Sequence, residues 1–282
     1  MTIRDVAKRA GVCLVTASRA MNGHASVRPD KKKKVLDAAR ELKYTPNLLA
    51  RGLAGNSADL VSILVSKLYN PYFGLLTEKL SLNLNKHGIS SILCDSPEKN
   101  GELVRSLSTR GTFMISNVDA GLIREMASKH PTVGINCVIP DGVDMTSVEI
   151  DFTGAYASLA NTALKAGKRN IAFLSPILPK YQKMKFQAVK DILARQRIKP
   201  VSPLNSESFQ NVDELVALLL SDNSSVDMVF CENDLLASVL VASMHANRKR
   251  LKKEPVVVGC DNTIPLERVW TVDVDIDAIA DR

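Results

Sequence analysis

The sequence predicts an α/β protein in which an all-α helix-turn-helix head precedes a two-lobed, parallel α/β core. Three observations carry that prediction. Residues 1–57 hold 12 Lys/Arg against 4 Asp/Glu, a balance of +8, whereas the other 225 residues hold 25 against 26, a balance of −1. Within the basic segment, short apolar-periodic stretches are punctuated by Gly11 and by Asn22-Gly23. Beyond it, strand-like apolar runs alternate with helical stretches in two successive series. A small basic module on a near-neutral body is the electrostatic footprint of a nucleic-acid-binding head.

In the head, Thr2-Ile3-Arg4-Asp5 has the form of a capping box, with Thr2 as N-cap and Asp5 in the first turn. Ile3, Val6, Ala7 and Ala10 then recur at helical spacing. Gly11 supplies the left-handed position that a tight interhelical turn needs, and Val12 can plug the core. A second short helix is expected over Leu14–Met21, broken by Asn22-Gly23. Pro29 suits the first position of a third, whose Val35, Leu36, Ala39 and Leu42 are expected to share a face. Helix, glycine turn, helix and supporting helix make a helix-turn-helix pattern, in which the second helix would enter a major groove.

The remainder alternates strand and helix. Strands are expected over 60–65, 89–94, 113–115, 133–139 and 148–150, then 171–174, 226–231 and 256–258. Helices are expected over 71–88, near 98–110, 119–129, 154–167, 181–196, 211–221 and 234–247. Two parallel sheets give two lobes with a cleft, and ligands sit at strand C-terminal ends. Candidate cleft residues are therefore Asn70-Pro71-Tyr72-Phe73, Asp95, Asn136, Asn233-Asp234 and Asp261-Asn262. Carboxylates and amides suit hydroxyl-rich ligands. Asp and Asn just after strands also favour helix N-caps, and Asp95 serves either role equally well.

Composition excludes other classes. With 45% hydrophobic and 24% charged residues the chain is globular. No apolar run approaches ~18 residues, so no membrane span is expected, and the polar Met1-Thr2-Ile3-Arg4-Asp5 start argues against a secretory signal. Five scattered cysteines without Cys-x-x-Cys and four scattered histidines argue for a reducing cytoplasm and against a disulfide framework or a metal site. Walker A, Gly-x-Ser-x-Gly and Gly-x-Gly-x-x-Gly are missing, so neither catalysis nor a cofactor is expected. Asp273-Val-Asp275-Ile-Asp277 imitates a calcium loop, but Ala278 stands where Gly is required.

Asp5-Val6-Ala7-Lys8-Arg9-Ala10-Gly11-Val12, Thr16-Ala17-Ser18-Arg19, Asn22-Gly23 and Tyr44-Thr45-Pro46-Asn47-Leu48-Leu49-Ala50-Arg51-Gly52-Leu53 resemble the head of the LacI (lactose-repressor) family of bacterial transcriptional regulators. The likeness is nearly continuous over residues 2–55 and looser to Arg282, where the core is similar to a periplasmic sugar-binding protein. It implies a head over 1–45, a hinge helix and linker over 46–58, and an effector-binding, dimerising core over 59–282. Relatives begin a further helix and a last strand near Ile279, so the core is expected to be short at its C-terminus.

By the same resemblance Cys13, Leu14, Val15, Thr16, Ser18 and Arg19, with Asn22 beyond, face DNA. Arg19 suits a guanine edge; Thr16 and Asn22 suit phosphates. Cys13 replaces a usual Ser, and Leu14 and Val15 offer only apolar contacts, or pack inside the head instead. Lys31–Lys34 reads as a solvated face or as further phosphate contacts. The hinge has Asn47, Ala50 as the small residue of close approach, and Leu53 as a wedge between bases. In the core, Gln182 stands where relatives carry a sugar-clamping Arg, and Lys185-Phe186 follows; Gln cannot form a charged fork. Arg110-Gly111-Thr112-Phe113 replaces the usual Val-Asp-Gly, leaving strand pairing there open. The implied protein is a homodimeric repressor of double-stranded operator DNA under a small polar effector, acting in the bacterial cytoplasm on the nucleoid. The rival reading, a soluble sugar- or nucleoside-binding protein, accounts for the lobes but not for residues 2–55.

Overall fold

The computed structural model describes residues 1–45, 59–95, 101–106, 109–116, 118–175, 180–199, 204–205, 210–221 and 225–282. The chain folds as two compact units, residues 1–60 with 107–110, and the rest. The expected hinge, with Asn47, Ala50 and Leu53, lies outside the described residues.

The head is three helices, α1 (Ile3–Ala10), α2 (Leu14–Met21) and α3 (Pro29–Glu41). The Thr2 backbone N–H and hydroxyl donate to Asp5 Oδ2 at 2.7 and 3.0 Å, closing the start of α1. Gly11, at φ 66°, turns the chain, and Val12 N–H reaches back to Ala7 O at 3.0 Å. Small residues let the helices approach: Val6 and Ala7, Ala17 and Ala20, and Val35, Ala38 and Ala39 form the buried centre, with Val12, Leu42 and Tyr44 against it. On α3 the true stripe is Val35, Ala38, Ala39 and Leu42, spaced i, i+3, i+4, i+7; Leu36 lies beside it, half-buried.

The second unit contains two five-stranded sheets. The first comprises β1 (Leu60–Val65), β2 (Ser90–Asp95), β3 (Thr112–Ile115), β4 (Thr132–Ile135) and β5 (Thr146–Val148), in the order β2-β1-β3-β4-β5. The second comprises β6 (Ile171–Ser175), β7 (Leu204–Asn205), β8 (Met228–Cys231), β9 (Val256–Asp261) and β10 (Val269–Asp273), in the order β10-β9-β8-β6-β7. Read from the β7 edge, the second sheet repeats the winding of the first. The pairings β1–β3, β3–β4, β4–β5 and all four of the second sheet are parallel. Helices α4 (Pro71–Lys86), α5 (Gly101–Ser106) and α6 (Ala120–Lys129) belong to the first series; α7 (Thr153–Lys165), α8 (Lys180–Arg195), α9 (Gln210–Leu220) and α10 (Asp234–Ala246) belong to the second. A last helix, α11 (Ile276–Asp281), returns to α4 of the first series: Asn83 Nδ2 donates to Ala280 O at 3.2 Å, and Lys79 pairs with Asp277 at 2.7 Å.

The strand at Gly111-Thr112-Phe113 does pair. Ser62 N–H donates to Gly111 O at 3.0 Å and Thr112 N–H to Pro131 O at 3.0 Å. A β-carbon on Gly111 would come within 2.9 Å of Pro131 O, so the absent side chain is what lets the strands meet. The expected strand over 133–139 ends at Ile135, because Asn136 adopts φ 49°.

One apolar cluster joins both sheets, running from Ile63, Ile115 and Ile135 through Tyr72 and Leu76 of α4 to Phe173, Phe230 and Val258. A second lies on the other face of the second sheet, where Leu215, Leu219, Leu240 and Met244 cover Val229 and Val257.

At the N-terminal end of that sheet Asp227, 8% exposed, accepts from Arg169 N–H at 2.8 Å and Asn170 N–H at 3.0 Å and pairs with Lys253. Burial would raise its pKa; the two N–H groups and Lys253 outweigh this and hold it at about 2. An unfolded aspartate titrates near ~4, so the stability Asp227 supplies is present above that pH and is lost as pH falls toward about 2. Urea unfolding of Asp227→Asn is expected to show a lower midpoint than the parent at about pH 7, with the two curves converging near about pH 2. A gap that stays constant with pH would mean that the carboxylate charge is not what matters.

Candidate functional site

The first turn of α2 forms one candidate surface. Leu14 is 42% and Val15 57% exposed, so neither belongs to the head's interior. Cys13, Arg19 and Asn22 are exposed beside them, and Thr16 and Ser18 are half-buried. Cys13 occupies the N-cap position without capping: its thiol shares a 3.1 Å hydrogen bond with the Thr16 hydroxyl. That bond lowers the thiol's pKa. Around this apolar pair the head carries its excess of lysine and arginine, including Lys31–Lys34, of which Lys32 is half-buried and the rest exposed.

The second candidate surface lies where strand C-termini converge, at the switch points of the two sheets. Three strands end in non-glycine residues of left-handed backbone or lead directly into one: Ser116 after β3 (φ 65°), Asn136 after β4 (φ 49°), and Asp261-Asn262 at the end of β9 (φ 98° and 51°); Lys67, two residues past β1, adopts the same region (φ 63°). Such conformations cost about 1–3 kcal/mol each and gather where a backbone must present a group rather than continue a strand.

The nominated residues divide by what their side chains already do. Asn70 caps α4, accepting from Tyr72 N–H at 3.1 Å, and Pro71 takes the first helical position. Phe73, half-buried, meets the Tyr72 ring edge-on at 5.2 Å. Asn136 accepts from Ile150 N–H at 3.2 Å, tying the end of β4 to the segment after β5. Asn233 caps α10 through Leu236 N–H at 2.9 Å. Asp234 is wholly buried, and both its oxygens are engaged: Thr263 N–H at 2.8 Å and the Thr271 hydroxyl at 2.7 Å. Asp95 ends β2, exposed. Gln182 falls in the first turn of α8, outside the described side chains.

Asp261 is 7% exposed, and burial pushes its carboxyl pKa up, opposed chiefly by Lys185. Tyr72, from the first lobe, has its phenol raised by burial and then by Asp261 and Cys260 of the second, which places the three at one junction. Among the described residues the Tyr72 hydroxyl has no hydrogen-bond partner. No group of three or more His, Cys, Asp or Glu suited to a metal ion occurs among the described residues.

Residues 2–47 match the family model for bacterial regulatory proteins, lacI family. Catabolite control protein A of Priestia megaterium is 26% identical over 275 residues, spanning 93% of this chain and 83% of its own length. Over residues 2–47 the chain is thus similar to the lacI family. Two solved structures agree in fold. The lac repressor dimer bound to operator and the anti-inducer ONPF superposes with a TM-score of 0.80 at 19% identity, over 99% of this chain and 89% of that one. A LacI-family transcriptional regulator from Silicibacter pomeroyi gives 0.80 at 22%, over 100% and 90%. The relatives are transcriptional regulators.

Two features of the core escape a reading of the sequence. Lys185 is named there only as a neighbour of Gln182, yet it is buried, with its ammonium donating to the Glu232 carbonyl at 3.3 Å and to Cys260 Sγ at 3.2 Å. Ser116 carries no side chain that suggests a site; its left-handed backbone is visible only in three dimensions. The strand run 256–258 also extends to Asp261, which fixes that carboxylate on β9 rather than on a loop.

Gly259 explains part of the arrangement. A β-carbon there would overlap Asp234 Oδ1, so Asp234 lies directly on the backbone of β9. Gly259→Ala is expected to destabilise the core by about 1–3 kcal/mol, the range for overpacking a filled interior. Urea-unfolding midpoints would measure it; a loss below about 0.5 kcal/mol would show that Asp234 is free to move aside.

Proposed function

We propose that this chain is a repressor that binds a pseudo-palindromic operator as a homodimer, acts without catalysis or cofactor in the bacterial cytoplasm, and answers to a small polar effector held between its lobes. The observation that carries this reading is the exposed first turn of α2 within an N-terminal segment, residues 1–57, of net charge +8. Two apolar side chains standing in water on an eight-residue helix gain nothing in the free protein. Against a thymine methyl they gain contact, while Arg19 addresses a guanine edge and Cys13, Thr16, Ser18 and Asn22 address the sugar-phosphate backbone.

The hinge completes the mechanism. Residues 46–55 are too short, and too rich in glycine with Gly52 and Gly55, to form a stable helix alone. Pairing across the dimer, with Asn47 and Ala50 at the contact and Leu53 wedged between bases, would supply the missing stabilisation. In the core, Asn70, Pro71, Phe73, Asp95 and Asn136 of the first lobe and Gln182, Asn233 and Asp261 of the second are the effector-facing set. Asp234 serves them by holding the segment after β9. The lac repressor dimer, whose fold this chain shares, is described with operator and anti-inducer together, which supports the same division of labour.

Selecting bound sequences from a random DNA pool supplies the operator for two tests. Neutralising ~6–10 phosphates per dimer implies that affinity falls ~10³–10⁵-fold between about 50 and 200 mM salt. A nearly flat dependence would contradict DNA binding by this head. Arg19→Ala should cost about 1–3 kcal/mol and relax preference at one position in each half-site. An unchanged sequence preference would move base reading off α2.

A further inference from the structure

The outward face of α2 has an unusual chemistry for a helix that reads bases. At roughly 100° per residue, Leu14, Ser18, Val15 and Arg19 fall on one side of the helix, opposite the buried Ala17 and Ala20. Leu14 and Val15 are exposed there, Arg19 is exposed one turn beyond Val15, and Ser18 is half-buried. The whole helix reads Leu-Val-Thr-Ala-Ser-Arg-Ala-Met and carries neither an amide nor a carboxylate side chain. Adenine is read in a major groove by the paired amide of Asn or Gln, and cytosine by an acceptor from Asp or Glu. The amide that follows, Asn22, is the C-cap of α2, at the end away from Leu14. Hydroxyls both donate and accept, so they tell bases apart poorly, and that of Thr16 is already shared with the Cys13 thiol at 3.1 Å. Two means of telling base pairs apart are left on α2: the Arg19 guanidinium for a guanine edge, and the apolar pair for a methyl group.

We infer that Leu14 and Val15 read a pyrimidine methyl group rather than a base: thymine and 5-methylcytosine are accepted alike, and uracil and cytosine are both disfavoured at the same position. The inference rests on the reading of α2 as the recognition helix and deepens it. Thymine and 5-methylcytosine carry the same methyl into the major groove and differ in the neighbouring exocyclic group, an oxygen acceptor in one and an amino donor in the other. Leucine and valine side chains bond to neither group, so they cannot distinguish the two bases. They do gain from covering the methyl, because both side chains stand in water until something apolar meets them. One methyl buried against an aliphatic side chain corresponds to about 3–5-fold in affinity. Operator occupancy then responds to the cytosine-methylation state of the DNA as well as to the effector, a second input that enters through the head alone.

The test uses the full chain and the operator selected from a random DNA pool. Duplexes are made in which uracil, which pairs like thymine but lacks the methyl, replaces each thymine of a half-site in turn. At one or two positions this should weaken binding about 3–5-fold. At those positions 5-methylcytosine should bind better than cytosine by the same factor that separates thymine from uracil. These arms use the parent protein alone, so they stand whether or not a variant folds. Leu14→Ala and Val15→Ala then assign the contact: each should weaken binding to the thymine operator and lose the response to uracil at its own position, so that the two changes together cost no more than either alone. A half-site selected without thymine, a uracil series with no effect, equal affinity for cytosine and 5-methylcytosine, or a uracil effect that both variants retain would each overturn the inference while leaving operator binding intact. Failure to select any sequence would instead sink the repressor reading, and this inference with it.

Discussion

The core depends on the burial of a single aromatic cluster that belongs to both lobes. Tyr156 and Phe173 each lie 5.9 Å from Phe230, and Phe173 lies 4.7 Å from Phe186. Through Tyr72 and Leu76 this cluster continues into the first lobe without a polar break. Interiors packed at this density do not deform continuously, so a ligand between the lobes changes their arrangement only by selecting between discrete packings. The polar groups that could recognise a ligand sit on the rim of this cluster, at the strand ends.

The repeated winding of the two sheets explains why those groups converge. Each sheet has its switch point beside its first strand, β1 in one lobe and β6 in the other, and the strands point their C-terminal ends at the junction. Left-handed residues at Ser116 and Asn136 stop β3 and β4, and Asp261 ends β9 in the same region. Asn136 shows how tightly presentation and architecture are combined: its side chain holds the segment after β5, so the first lobe's edge and its cleft face are fixed by one amide.

Much of this was legible in advance because it rests on local chemistry. Gly11 and the Thr2–Asp5 box need no tertiary information, and the head forms as they dictate; on α3 the sequence reading places Leu36 where packing puts Ala38. The buried run of β1 is equally plain, since all six residues are apolar or small. What stayed hidden is non-local. β10 reads Val-Trp-Thr-Val-Asp, with Trp270 39% exposed, a half-polar edge strand that the acidic run after it disguises as an ion-binding loop. β7 is only two residues long and exists because β6 is beside it. Asp234 looks like a ligand carboxylate in the sequence; only contact with Gly259, Thr263 and Thr271 reveals it as a strut. Lys185 was hidden for the same reason, because a lysine on a helix is by default a solvated one.

The return of α11 to α4 has a consequence for how the molecule assembles. Asn83 and Ala280 are 197 positions apart in the chain, yet they share a hydrogen bond. During synthesis the first sheet can form while the rest is still being made, but the outer face of its principal helix stays uncovered until residues 276–281 emerge. At ~5–20 residues per second this leaves about 10–40 s between exposure of α4 and its covering. Contacts of such sequence separation pay their loop-closure entropy late and slow the search. The α4 surface open in that interval carries Lys79, Asn83 and Lys86 together with the exposed Leu75 and Leu82, so until α11 arrives the first lobe offers a half-apolar face to its neighbours.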